Sequence, residues 1–246
     1  MYRKHYGEVD TRTLGTAGNL AEVLVLNDRD DEAEPLLVDC AEKARKLQDG
    51  PSRLLATCLD MLSEVRSDQK RFDEGETIAA EAADTYAKLL GPRHNYRSFA
   101  LVHLGVARLG KGDGPGALAA FKEALELRRE AFGEDHRDVG NALWNLGGAE
   151  VQLGDPVTGA QHLREALAID QRVLAPDHVA IPRVRTRLIP ALIALKQYED
   201  AAHELRAAQD EFTRAHDTTD GDRNKLRELE QALSAARQPA GAIAPH

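Results

Sequence analysis

Aromatic residues make up only 4% of this sequence, and it contains two cysteines, one tryptophan and no long run of apolar or of basic residues. Each shortage excludes something. So few aromatics, set beside abundant Ala, Leu, Glu and Arg, suit helices and suit sheets poorly. Cys40 and Cys58 fall inside helical patterns where a small apolar residue is expected. That favours buried free thiols in a reducing compartment over a disulfide or a metal pair. Residues 1–10 contain no apolar stretch suited to a signal peptide, and no segment approaches a membrane-spanning length. The expected location is the cytoplasm. With 32 Lys and Arg against 41 Asp and Glu, the net charge of −9 repels phosphates and anionic lipid. Neither nucleic acid nor a membrane is an expected partner.

What is present is a period. Leu20, Leu62, Leu104, Leu146 and Leu188 are spaced by 42 residues each. Thirteen residues after each Leu stand Ala33, Gly75, Ala117, Gly159 and Ala201, and seven further on Cys40, Ala82, Ala124, Ala166 and Ala208. All ten are small, as the closest approach of two helices requires, because a larger side chain would push the axes beyond roughly 8–10 Å. Between them Leu37, Phe121, Leu163 and Leu205 supply bulk, with Ala79 the exception. Each unit reads as two helices, A and B, in a hairpin.

Polar or Gly-rich turns connect A to B: Asn27-Asp28-Arg29-Asp30, Gly112-Asp113-Gly114 and Gly154-Asp155-Pro156. Helix B is expected to end at Gly91, Gly133 and, less typically, Ala175. The predicted fold is all-α: a right-handed superhelical solenoid of five antiparallel hairpins over 14–217, with a C-terminal capping helix over 222–237. Leu226, Leu229 and Leu233 make the apolar stripe of that last helix. Residues 238–246 have no period and are expected to be a disordered tail. Tyr6-Gly7 falls in register with Leu90-Gly91 and Phe132-Gly133. Residues 1–13 are therefore expected to be the remnant of a preceding helix and turn, with more repeat or another domain upstream.

The runs Leu104-Gly105, Ala117, Phe121, Ala124 and Leu146-Gly147, Gly159, Leu163, Ala166 resemble the tetratricopeptide repeat. The period of 42, longer than the common repeat of roughly 34 residues, is similar to that of the kinesin-light-chain-like subclass. So are Asn19-Leu20-Ala21 and the Gly-x-Asp-His element from Gly133 to His136. The likeness covers residues 6 to 217. The family's His-Pro after helix B is replaced by Asn95, Arg137 and Val179, and its aromatic in helix A by Leu24, Arg66, Arg108 and Glu150. The resemblance implies a non-catalytic module that binds a protein or peptide. Its alternative is the regulatory C-terminal region of a larger signalling enzyme, such as a bacterial serine/threonine kinase.

In such stacks the A helices line the concave surface. With each periodic Leu counted as position seven, inward positions fall near two, five, six, nine and thirteen. In the third and fourth units these include Phe99, Val102, His103, Val106, Asn141, Trp144, Asn145 and Gly148. Asn19 and Asn145 directly precede the periodic Leu, where the resemblance implies an amide holding a partner's backbone; an Asn side chain can pair with a peptide unit at two points. An exposed Asn near a helix start is the plain alternative. Trp144 is a candidate interface anchor or a core filler, and groove exposure is favoured because Leu143 and Leu146 already fill the inward stripe. Glu22, Asp60 and Glu64 make one end of the groove acidic, and Arg183 and Arg187 make the other basic. Complementary steering of a partner competes there with ordinary solvated charge.

No catalytic or metal constellation is legible, and no cofactor is expected. His94, His136 and His178 obey the period, but packed units stand about 10 Å apart, too far for ligands that must lie within roughly 2 Å of one ion. They read as residues at the starts of helices. Residues 112–116 are Gly-rich without the Gly-Lys-Ser/Thr of a phosphate loop. Pro190 is expected to kink or shorten the fifth helix A.

Overall fold

The computed structural model describes residues 11–25, 27, 29–47 and 52–238. Tyr6-Gly7, Asp28 and all but the first residue of the expected tail lie outside the described residues. The described residues form eleven helices and no strand. In chain order these are α1 (Thr11–Val25), α2 (Asp30–Leu47), α3 (Arg53–Asp68), α4 (Phe72–Leu90), α5 (Arg97–Lys111) and α6 (Gly114–Phe132), followed by α7 (Arg137–Gln152), α8 (Pro156–Val173), α9 (Ala180–Ala194), α10 (Tyr198–Arg214) and α11 (Asp220–Arg237). The first ten make the five hairpins that the period predicts. Two compact units, Met1–Ala131 and Phe132–His246, divide the chain. The first holds α1 to α6 up to the last residue of α6, and the second holds α7 to α11.

Within each unit helices adjacent in sequence pack together, and neighbouring A helices touch as well: α1 with α3, α3 with α5, and α7 with α9. All ten small periodic residues are buried, eight of them with no exposed surface at all. The small side chains therefore lie where helix meets helix. Leu62, Leu104, Leu146 and Leu188 are buried, but Leu20 is 52% exposed and departs from the expectation for its position. The reason is visible one repeat later. Leu62 reaches the core by packing with Ala21, Leu24, Ala33 and Leu37 of the hairpin before it. Among the described residues no hairpin precedes α1, and none packs over Leu20 as the first hairpin packs over Leu62.

A second correction concerns the cysteines. Cys40 and Cys58 are joined by a disulfide that ties α2 to α3, with Cα atoms 6.1 Å apart. Their small-residue positions face each other across neighbouring hairpins; the positions one period on are Ala82 and Ala100, both fully buried. Two thiols placed there are brought within bonding reach by helix packing, although their spacing in sequence shows no motif. The inference from free thiols to a reducing compartment falls with this bond. Among the described residues, no helix is long and apolar enough to cross a membrane.

Three of the four positions that lack the family's aromatic, Arg66, Arg108 and Glu150, are filled by charged residues that find partners, and the fourth, Leu24, is buried in the core. Arg66 bonds Glu34 on the preceding helix B, and Gln69 Nε2 donates to the same carboxylate at 2.7 Å. One period on, Arg108 and Lys111 both donate to Glu76, at 3.0 and 2.7 Å. Glu150 instead faces His162 of its own hairpin at 2.6 Å. Burial of these side chains is tolerated because each finds a hydrogen-bonding partner.

Helix ends follow local chemistry. Gly91 and Gly133, at φ 99° and 79°, close α4 and α6, whereas α8 stops at Val173 with Leu174 extended. His94, His136 and His178 each accept a backbone N–H two residues on, at 3.2, 3.1 and 3.1 Å, as residues at helix starts should. Pro156 occupies the first turn of α8, and Asp155 accepts from Thr158 N at 3.1 Å. Pro190 does not shorten its helix: α9 runs unbroken over 15 residues, the length of α5. The last helix, α11, packs on α9 and α10 and buries Leu229 and Leu233. Its start carries a capping box between Thr219 and Asp222.

The A–B turn carries a periodic feature that residue types hide. Gly112 and Gly154 have φ 85° and 89°, and one period outside them Lys70 and Lys196 have φ 60° and 59°. All four occupy one left-handed site, which costs an L side chain and costs glycine little. Lys70→Gly and Lys196→Gly are each expected to raise stability by about 0.5–1 kcal/mol, read as a higher urea midpoint; a lower midpoint would show that the lysine side chain stabilises the turn.

Candidate functional site

Two A-helix faces carry the predicted site residues, one in each unit. On the first, Asn19 of α1 is exposed, while Phe99 and Val106 of α5 are half-buried and Val102 is buried. Val102 therefore belongs to the packed interior rather than to an open surface. The Phe99 ring lies under the Arg128 guanidinium, 4.9 Å from its centroid, and 6.4 Å from Tyr96. His103 has its Nδ1 2.8 Å from Asp60 Oδ1 on α3 and its Nε2 3.7 Å from Glu64. Burial would lower the His103 pKa, but the Asp60 charge and hydrogen bond, with help from Glu64, outweigh it and raise it to about 9. The imidazole is a cation at neutral pH, and it offsets Asp60, one of the three acids on which the expected acidic end of the groove rested.

On the second face, Asn141 of α7 is exposed and Trp144 is half-buried. Asn145 is only 7% exposed, and its Nδ2 donates to the Asn141 carbonyl at 3.0 Å. Its amide is thus partly spent within α7. Trp144 is less open than its sequence context suggests. The guanidinium carbon of Arg187, on α9, stands 3.7 Å from the centroid of the indole ring, and the indole N–H is buried without an acceptor. Arg187 folds over Gly148, where a Cβ would come within 2.5 Å of its Nη1. Burial pushes the Arg187 pKa down to about 10.

The expected basic end is reduced to this one residue. Arg183 is tied to Asp222 of α11 by bonds of 3.0 and 2.9 Å. Burial works against the Asp222 charge, but Arg183 and Thr219 outweigh it and hold the carboxyl below its ordinary range. Sequence reasoning missed these pairings, yet a signal was available. Asp60 with His103 and Trp144 with Arg187 are each 43 residues apart. Position five of one helix A thus meets position six of the next helix A in the same unit. Among the described residues no group of three or more His, Cys, Asp or Glu is placed to hold a metal ion.

Residues 62–130 and 99–172 match the sequence profile of the tetratricopeptide repeat. Residues 62–172 are tetratricopeptide repeats. No curated protein sequence matches this chain. Among solved structures it is similar to the kinesin light chain repeats of Podosopora anserina, with 17% identity, 83% of this chain and 97% of that one covered, and a TM-score of 0.65. It is also similar to BtubC (BKLC) from P. vanneervenii, with 16% identity, 100% and 89% coverage, and a TM-score of 0.65. A third likeness is to a Rap protein in complex with Competence and Sporulation Factor, with 18% identity, 89% and 63% coverage, and a TM-score of 0.72. At these identities the chain shares a fold with each.

Proposed function

We propose that this chain is a non-catalytic protein-interaction scaffold whose A-helix faces hold an extended segment of a partner protein. The observation that carries the reading is the α7–α9 face, where exposed Asn141 and half-buried Trp144 stand side by side. An amide that can both donate and accept, next to a large aromatic, suits recognition of a peptide backbone and one of its side chains. The fold likeness to a Rap protein held with Competence and Sporulation Factor supports the same use. On the α1–α3–α5 face, Asn19 and Phe99 offer a comparable pairing of residue types.

The test is affinity capture from the source cells with the wild-type chain and with the Trp144→Ala and Asn141→Ala variants, followed by mass spectrometry. A partner protein recovered with the wild type is expected to drop at least about tenfold with each variant, with helicity by circular dichroism unchanged. That loss corresponds to roughly 1.4 kcal/mol, within the range of interface residues that matter. Equal recovery with all three chains would overturn the α7–α9 face as the binding surface.

A further inference from the structure

One position near the end of helix B is buried in every hairpin. Its occupants are Ala44, Tyr86, Arg128, Asp170 and Phe212, spaced by the period of 42. Ala44 and Phe212 are apolar and need no partner. Two of the polar occupants find a hydroxyl on helix A of their own hairpin: Tyr86 Oη lies 3.2 Å from Thr57 Oγ1, and Arg128 Nε donates to Ser98 Oγ at 3.0 Å. Asp170 of α8 departs from this rule. The residue one period after Ser98 is Gly140 of α7, and a Cβ there would come within 2.6 Å of Asp170 Oδ1. The carboxylate therefore faces a helix that has no side chain to donate to it. Asp170 is 5% exposed, and among the described residues no hydrogen bond or ion pair reaches it. Arg137 of α7 acts on it only as a charge at a distance. Arg183 and Arg185 of α9, which packs on α8, are bonded instead to Asp222, Glu204 and Glu211. Neither Asp170 oxygen is among the described polar atoms that are enclosed without a partner. The narrow opening left at this residue thus reaches the carboxylate.

We infer that the open end of the α7–α8 hairpin, between Asp170 and Gly140, is a binding site for a single organic cation, a guanidinium or an ammonium group. Asp170 is on helix B, so the site stands whether or not the A-helix face binds a partner. A carboxylate held out of water without a partner lacks both a donor and a counter-charge. Water supplies only the first, whereas an organic cation supplies both in one charge-assisted hydrogen bond. The same position of α6 carries the Arg128 guanidinium, so the end of such a hairpin has room for a planar cation. Asp170 is a single acid, and among the described residues no group of three metal ligands includes it, which sets a metal ion aside. Burial pushes the Asp170 carboxyl up to about 6 against the pull of Arg137, so at pH 7.5 most of it is still charged.

The test follows the Asp170 carboxyl carbon by nuclear magnetic resonance in the full chain. At pH 7.5 the chain is titrated with methylguanidinium, with ethylammonium, with the capped peptide acetyl-Ala-Ala-Arg-Ala-Ala-amide and with its Gln counterpart. A saturable shift is expected with the cations, and the Gln peptide is expected to bind about tenfold more weakly or less. Tighter binding of the Arg peptide than of methylguanidinium assigns the cation to a protein's side chain, and equal or weaker binding assigns it to a free small amine. At pH 5 the bound proton competes, and the shift should shrink. Asp170→Asn should abolish cation binding with helicity unchanged. Gly140→Ser restores the hydroxyl that Ser98 offers one period earlier, and the added atoms meet chiefly the movable end of Asp170. That variant should lower the carboxyl pKa and weaken cation binding. No saturable shift with any cation, or cation binding that persists in Asp170→Asn, overturns the site. A carboxyl that titrates near 3.8 in the free wild type also overturns it, because Asp170 would then already have its partner.

Discussion

Gly159→Leu is expected to cost about 3 kcal/mol or more of stability, the largest loss expected from a single substitution in the second unit. Gly159 of α8 stands against Gly147 of α7. A Cβ at residue 159 would lie 2.7 Å from the Gly147 carbonyl oxygen and 3.0 Å from the Val151 backbone nitrogen. Those neighbours are backbone atoms held in a helix, so they cannot rotate aside. The two helices would have to separate, and Leu146 and Leu163, both buried, would lose packing with them. Chemical denaturation followed by circular dichroism measures the effect. The same position two repeats earlier supplies an internal comparison. A Cβ at Gly75 would meet the Ser67 hydroxyl at 2.7 Å and the nearest backbone atom, the Ser63 carbonyl oxygen, at 3.3 Å. Gly75→Ala is accordingly expected to cost less than Gly159→Ala. Equal costs at the two sites would show that the carbonyl contact does not set the helix separation.

That contact also explains why the fold could be read from the sequence. Two helices at closest approach leave room for glycine, alanine or cysteine and for little else, so the geometry restricts residue type directly at residues 33, 75, 117, 159 and 201. A restriction on type, repeated every 42 residues, survives in a single sequence. Leu20 shows the limit. Its residue type matches the period, but its burial depends on a preceding hairpin, and a position in register says nothing of whether its neighbour is there. The disulfide was hidden for a related reason. Cys40 and Cys58 obey the rule for small residues, and only the packing of α2 on α3 shows that the two small residues face each other.

The candidate site was less legible because its side chains are long and mutually dependent. The period placed Trp144, His103 and Arg187 on A helices, where the structure has them. It could not tell that position five of one helix A is covered by position six of the next, because that contact depends on how far a particular side chain reaches. Asp60 alone reads as an exposed acid, and with His103 beside it the two form a partly buried pair. Arg183 and Arg187 look equivalent in sequence, four residues apart on one helix. Asp222, 39 residues beyond Arg183, makes them different. Charge patterning read from residue types therefore overstated the gradient along the groove, because Asp60 and Arg183 are both paired within the chain.

The His103–Asp60 pair should appear as a pH dependence of stability with a definite sign. The folded-state pKa of His103 lies near 9, above the ordinary value of 6.5, so the folded chain holds this proton more tightly than the unfolded chain does. The stabilisation is present in full below pH 6.5 and is lost as the pH rises through about 9. Its size follows from the displacement of the pKa and is about 3 kcal/mol. Asp60→Asn removes the charge that does most to outweigh burial, and the titration midpoint is then expected to fall below 6.5, since burial disfavours the cation more than Glu64 favours it. Imidazole chemical shifts followed by nuclear magnetic resonance give the midpoint directly in both chains, and urea midpoints at pH 7 and pH 9.5 give the energy. In the wild type the urea midpoint should drop between those two values by more than it does in Asp60→Asn. A wild-type midpoint near 6.5, or the same drop in both chains, would mean that Asp60 does not hold the proton on His103, and the first unit's A-helix face would then carry the full negative charge of Asp60 and Glu64 at neutral pH.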